Sequence, residues 1–190
     1  MRTSRTRFFT RWEARCRKGE GARRGVEGRK VINIRPIKTD DCSGVKELIE
    51  KIMGSEFSRE SVAYRYQDLD NPVEHYGGDR EIFLVAEKDG KIVGTVAIKE
   101  DGPDVALLRR IFVDGSLRGQ GFGEALLRKA MEFCFEHNYK NVTFRGTDKM
   151  QSALKLCLKN GFEEEDIAEI DDFKLLILSR DLKGKPLKAE

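Results

Sequence analysis

A chain of 190 residues has the length of one domain with a sizeable core. Hydrophobic residues make up 39% and charged residues 36%, which excludes compositional disorder and points to a heavily charged surface. The net charge of +3 hides an asymmetry: residues 1–30 hold eleven Lys/Arg and three Glu, a net of +8, which leaves −5 for the rest and gives no reason to expect a DNA-coating surface.

Residues 1–30 show no hydrophobic periodicity, and Gly19, Gly21, Gly25 and Gly28 argue against a stable helix. They read first as a disordered tail. The functional alternatives are a basic arm for nucleic acid, ribosome or membrane surface, and an Arg-rich targeting peptide. Phe8, Phe9 and Trp12 are too few for a base-stacking platform. The domain is expected over residues 31–182, with a short tail at 183–190. Ile32 and Ile34 alternate with polar neighbours as in a strand, and Pro36 places that strand at an edge or at its end. Thr39-Asp40-Asp41 reads as a helix start, and Val45, Leu48, Ile49, Ile52 and Met53 follow as a one-sided apolar stripe. Gly54 is a plausible stop. A second, weaker helix is expected over residues 58–67, broken by Asp68-Leu69-Asp70-Asn71-Pro72, with Gly77-Gly78-Asp79 continuing the loop.

Ile82-Phe83-Leu84-Val85-Ala86 is a continuous apolar strand, Lys88-Asp89-Gly90-Lys91 a tight hairpin turn, and Ile92-Val93-Gly94-Thr95-Val96-Ala97-Ile98 the partner strand. Asp101-Gly102-Pro103-Asp104 turns the chain into a third strand, completing an antiparallel meander. That strand, Val105-Ala106-Leu107-Leu108-Arg109-Arg110-Ile111-Phe112-Val113, runs towards Arg118-Gly119-Gln120-Gly121-Phe122-Gly123. A helix over residues 124–137 comes next, with a buried face of Phe122, Leu126, Leu127, Ala130, Met131, Phe133 and Cys134. A strand at 140–144, a helix at 149–159 capped by Asn160-Gly161, an acidic run Glu163-Glu164-Glu165-Asp166 on a solvated edge or loop, and a strand at 173–178 complete the chain.

The glycine-rich stretch is where chemistry is expected. Three glycines in five positions bare the backbone, and free N–H groups at a helix N-terminus attract anions. Arg118 adds a forked cation suited to phosphate. Gly123 is followed by Glu124-Ala125, which excludes a P-loop, and the spacing G-x-G-x-G is not the dinucleotide fingerprint. A pyrophosphate cradle is the functional reading, a ligand-free glycine turn the plainer one. Cysteines at 16, 42, 134 and 157 form no C-x-x-C pair, and only His75 and His137 could join them, so no metal site is expected. The cysteine usage and the lack of a signal peptide fit a reducing cytoplasm rather than a disulfide framework. No apolar run approaches the ~20 residues of a membrane span.

Ile111-Phe112-Val113, a four-residue spacer, then Arg118-x-x-Gly121-x-Gly123 and Ala125-Leu126-Leu127 resemble the cofactor motif of the GNAT superfamily of N-acetyltransferases. Met150-Gln151-x-Ala153 through Lys159-Asn160-Gly161-Phe162 is similar to that family's second motif. The resemblance implies an α/β (α+β) fold: a mixed, mostly antiparallel central sheet of six to seven strands flanked by about four helices. It implies acetyl-CoA as co-substrate, with the pyrophosphate on the amides of Arg118, Gly119, Gln120, Gly121, Phe122 and Gly123. Pantetheine would then lie along Ile111, Phe112 and Val113 as an added strand. A backbone N–H at Ile111 or Phe112 would face the thioester oxygen. The early helix and loop would wall the acceptor site, making Tyr64, Tyr66, Asp68, Glu74, His75 and Tyr76 candidate substrate contacts.

Two positions depart from the family's pattern. Where many relatives have a Tyr that protonates the leaving thiolate, this chain has Cys157, whose thiol could donate a proton or could simply be a small core residue. Where many have an acidic residue on the cofactor strand there is Leu107, so the base must come from Glu100, Asp101, Glu74, His75 or bulk water. The expected activity is acetyl transfer to a primary amine of a small molecule, peptide or protein. The alternative is a catalytically silent GNAT-like module that binds coenzyme A or a partner. Nucleic acid would be met only through the basic tail, no membrane is implied, and the protein would be a monomer or homodimer. The acidic body mildly favours a cationic acceptor.

Overall fold

The computed structural model describes residues 32–57, 66–170 and 173–182, so the expectations for residues 1–30, 58–65 and 183–190, Tyr64 included, lie outside the described residues. Along the chain run β1 (Asn33–Pro36), α1 (Cys42–Glu56), α2 (Pro72–His75), β2 (Ile82–Lys88), β3 (Lys91–Glu100) and β4 (Val105–Val113). These are followed by α3 (Phe122–Glu136), β5 (Asn141–Thr147), α4 (Gln151–Lys159), β6 (Glu163–Ile170) and β7 (Phe173–Asp181). The strands form one seven-stranded sheet in the order β1-β2-β3-β4-β5-β7-β6. Only the β4–β5 pair is parallel, joined by the α3 crossover. This is the mixed, mostly antiparallel sheet that the resemblance implied, with four helices among the described residues.

The apolar run of β2 is buried along its length because the sheet is covered on both sides. Leu84 and Ala86 pack with Leu126, Leu127 and Ala130 of α3. Phe83 and Val85 pack on the opposite face with Val45, Ile49 and Met53 of α1. The hairpin signal works as read: Asp89 and Gly90 both have positive φ, 51° and 75°, and Lys88 registers with Lys91. Pro36 ends β1 at the sheet edge, where its missing N–H breaks no inner ladder. The acidic run lies on β6, the opposite edge. Helix α4 ends in a Schellman cap: Phe162 N–H donates to Cys157 O, Gly161 N–H to Leu158 O, and Gly161 takes φ 78°.

One stretch read as loop is helical. Past residues 58–65, which lie outside the described residues, Gln67–Leu69 forms a short 3-10 turn and Pro72–His75 forms α2. Asn71 caps it by accepting from Glu74 N–H, and Pro72 takes the first helical position. The dipeptide that reads as a breaker here starts a helix, because a proline lacks only an N–H that the first turn would leave unpaired.

Candidate active site

The site is prepared by two irregularities in β4. Thr95 of β3 registers with Phe112 and Ala97 with Arg109, so β4 holds one more residue than its partner between those pairs. The bulge is centred on Arg110, a non-glycine residue at φ 52°. The buried Thr95 hydroxyl pins it, donating to Arg110 O at 2.7 Å. Further, the β4–β5 ladder runs only from Val105↔Asn141 to Leu108↔Phe144. Beyond Leu108 the two strands part, and a cleft of about 930 Å³ opens between β4, β5, the start of α3 and the start of α4.

The bulge changes which way side chains face. Leu108 and Ile111 belong to the layer under α3, and Phe112 to the layer under α1. Arg110 would face α3 in a regular strand. Instead its side chain, 1% exposed, reaches Asp68 on the α1 side, with Nε donating to Oδ2 at 2.8 Å and Nη2 donating to Oδ1. The Tyr76 hydroxyl donates to the same Oδ2. Burial works against the Asp68 carboxylate, but hydrogen bonds from Arg110 and Tyr76 prevail and hold its pKa below the usual range. Burial, followed by the bond to Asp68, pushes the Tyr76 phenol well above its ordinary value. Asp68 is therefore a fixed anion that clamps the 66–76 segment onto the bulge, and not a poised base.

The glycine-rich loop lies at the far end of β4. Gly119 (φ 75°) and Gly121 (φ 84°) are left-handed with open space where a Cβ would stand, so backbone conformation accounts for both. Gly123 is there for packing: a Cβ would lie 3.2 Å from Leu156 of α4. The first backbone bond of the helix is Ala125 N–H to Gly121 O. Among the described residues, the N–H groups of residues 119–124 donate to no backbone or side-chain acceptor. They form a run of bare donors where the helix dipole is positive.

Arg118 is engaged differently from expectation. Its Nε donates to Val113 O at 3.1 Å, and its fork meets Glu56 of α1 at 2.7 and 2.8 Å. Its charge is thus already matched, and the side chain ties the loop to β4 and α1. Gln120 folds back on Ser116 O and does not line the cleft, whereas Ile111, Phe112, Val113, Arg118, Gly119, Gly121, Phe122 and Gly123 do.

Cys157 lies off the cleft. It is 0% exposed among Leu154, Phe162 and the α3 layer, and burial pushes its thiol up to about 12. The geometry gives the expected proton donation no support: a Cys side chain at this position stops inside the core. None of the base candidates lines the cleft either. Glu100 pairs with Arg80, Asp101 with Arg145, and Glu74 accepts from the capping Asn71. Arg109, Arg110, Arg145, Lys149 and Glu56 are cleft residues that the sequence reading passed over. A signal existed in the doublet Arg109-Arg110 inside a central apolar strand, where strict alternation would bury one charge in the α3 layer.

Comparison with known proteins fits this geometry. A family model described as the acetyltransferase (GNAT) family matches residues 44–162. The chain belongs to the GNAT family. It is 38% identical over 88 residues to an N-acetylaspartate synthetase of Xenopus tropicalis, a match covering 46% of this chain and 32% of the relative. This GNAT chain spans about a third of the length of such synthetases. A Bacillus subtilis protein, provisionally named an alanine N-acetyltransferase of ribosomal protein bS18, is 30% identical over 130 residues, covering 68% of this chain and 80% of its own. A GNAT-family acetyltransferase structure from Staphylococcus aureus superposes with a TM-score of 0.71 at 26% identity, covering 80% of this chain and all of that one. The yncA protein of Salmonella typhimurium, solved with its cofactor acetyl-CoA, shares the fold with a TM-score of 0.66 at 15% identity over 83% of this chain and 98% of its own.

Proposed function

We propose that this chain transfers an acetyl group from acetyl-CoA to a primary amine, with the amides of residues 119–124 holding the pyrophosphate. The observation that carries the reading is that run of bare donors, at a helix N-terminus beside a strand whose second ladder stops at Leu108. Acetyl-CoA supplies the activated acyl carbon. The chain's part is to receive and orient it. Arg118 holds the cradle in place through Val113 O and Glu56 rather than by lending free charge. The stretch of β4 containing Ile111, Phe112 and Val113 offers the side facing β5 to an extended pantetheine arm, as in strand addition. As the family resemblance implies, a backbone N–H at Ile111 or Phe112 would face the thioester oxygen. Free thiols at Cys42, Cys134 and Cys157 support a reducing compartment such as the cytoplasm.

Thermal denaturation with and without coenzyme A tests the cradle, and thiol release across an amine panel tests transfer. The folded protein should be stabilised by coenzyme A, and Gly121→Glu should abolish that shift by setting a carboxylate among the donors. A second reading, a catalytically silent coenzyme A-binding module, is favoured by one observation: among the described residues, the carboxylates that line the cleft, Glu56 and Glu124, are already ion-paired, with Arg118 and Lys159. A thermal shift without thiol release on any amine would select that reading.

A further inference from the structure

The acidic body of the chain suggests a cationic acceptor, but the cleft has the opposite charge. Its lining includes Arg109, Arg110, Arg118, Arg145, Lys149 and Lys159, against Glu56 and Glu124. Most of these cations are matched: Arg110 by Asp68, Arg118 by Glu56, Arg145 by Asp101, Lys149 by Asp148 and Lys159 by Glu124. Among the described residues, Arg109 forms neither an ion pair nor a side-chain hydrogen bond.

The position of Arg109 separates it from the phosphates. It lies four residues before Val113 on a strand bulged at Arg110, a span of at most about 13 Å, with the cradle beyond. Leu108 packs under α3, so Arg109 faces the α1 side, where its charge is felt by Asp68, His75 and Tyr76. The bulge adds Arg110 to that same side. Two consecutive guanidinium groups therefore share a face with the Asp68 carboxylate, which is already committed to Arg110 and Tyr76. Lys99 is matched by Glu81 and the His75 carbonyl. Burial, then Lys99 and Arg109, lower the pKa of His75 against the opposing pull of Asp68 and Glu81. Tyr76 keeps its proton. Among the described residues, the acceptor wall thus carries one unmatched positive charge, Arg109, a forked donor with the geometry for a carboxylate.

We infer that the acceptor amine belongs to a molecule that also bears a carboxylate, an amino-acid-like substrate, and that Arg109 binds that carboxylate. The inference rests on the acetyl-transfer reading above. A guanidinium placed there repels a polyamine and attracts an anion, and a fork on a rigid strand fixes the anion's orientation and hence where the amine points.

The experiment pairs amines that differ only in the carboxylate, glycine against ethylamine and β-alanine against propylamine, with putrescine as the cationic probe. Thiol release is measured on the full chain at saturating acetyl-CoA. In parallel, calorimetry follows N-acetylglycine binding to the coenzyme A complex, a readout independent of turnover. Carboxylate-bearing members should be favoured by roughly tenfold or more, the scale of one charge-assisted contact. Arg109→Gln should remove that preference through KM and weaken N-acetylglycine binding, with the coenzyme A thermal shift unchanged. Arg109→Lys should restore part of it. Preference for putrescine, indifference to the carboxylate, or N-acetylglycine binding that Arg109→Gln leaves intact overturns the inference, as does an absence of any N-acetylglycine binding to the wild-type complex. Loss of the coenzyme A shift in the wild type would instead remove the acetyl-transfer reading itself.

Discussion

At the scale of single residues, the buried pair Arg110–Asp68 is the group whose removal should be felt most. It need not stabilise the fold more than apolar residues of the same volume would, because two charges lose their hydration to form it. Its role is to hold a left-handed residue in the middle of a strand, a conformation that costs about 1–3 kcal/mol. Arg110→Met should cost about 3–5 kcal/mol in urea unfolding, since it leaves Asp68 buried without its counter-ion. The double variant Asp68→Leu/Arg110→Met should recover much of that loss. The sign with pH follows from the lowered carboxyl pKa: the pair's contribution is complete above the unfolded value near 4 and disappears as pH falls through the lower folded value. The stability gap between wild type and Asp68→Asn should therefore narrow on acidification; a gap that widens would contradict the assignment. Of this network only the Arg109-Arg110 doublet in an apolar strand left a signal in the sequence. Asp68 looked like a candidate substrate contact in a loop, because the bulge that joins it to Arg110 adds one residue to β4 without changing its composition. Cys157 is the reverse case: its motif position was legible, and its burial fits the small-core-residue reading that stood beside proton donation. Cys157→Ala should lower stability by about 1 kcal/mol and leave the pH profile of thiol release unchanged. A loss of turnover in a fully folded variant would restore it as a proton donor.

Among elements, what decides the site is how closely α3 approaches the sheet and α4. The amphipathic stripe of α3 was readable in full: the seven residues expected to be buried are the seven found buried. The left-handed glycine loop before it was readable as well, since left-handed turns call for glycine and leave that requirement in the sequence. What could not be read is the distance between elements, which depends on glycines that look permissive in isolation. A Cβ on Gly94 of β3 would stand 2.9 Å from Leu126 Cδ1 and 3.1 Å from Phe112 O. The carbonyl belongs to the neighbouring strand and cannot yield, so the added methyl has to be accommodated on the Leu126 side, against α3. Gly94→Ala should therefore lift α3 from the sheet, with a destabilisation of about 1–3 kcal/mol and a weaker coenzyme A shift, because the cradle is the first turn of that helix. Gly123→Val should act at the α3–α4 contact, its branched side chain meeting Leu156 and Val113. A crystal structure of Gly94→Ala showing α3 in its wild-type position would refute this coupling.

Across the whole molecule, β4 is the middle strand of a seven-stranded sheet, and it is paired differently on its two sides. Its antiparallel ladder with β3 extends from Ala106 to Val113, while its parallel ladder with β5 ends at Leu108. The sheet thus consists of a β1–β4 part and a β5–β7 part that join at one end and part at the other, with the cleft in the gap. Hydrogen exchange can test that division directly. Without coenzyme A, the amides of residues 119–124 have no acceptor and should exchange fast, unlike the ladder amides of β2 and β3. With coenzyme A, slowing should appear first at residues 119–124 and next on β4 past Leu108, where an extended arm would supply the partner that β5 does not. The β6–β7 ribbon, with its acidic outer edge, should keep its rates. Protection spread evenly over both parts would indicate general stiffening by a ligand bound elsewhere. Protection on β6 with none at residues 119–124 would move the site away from the cradle altogether.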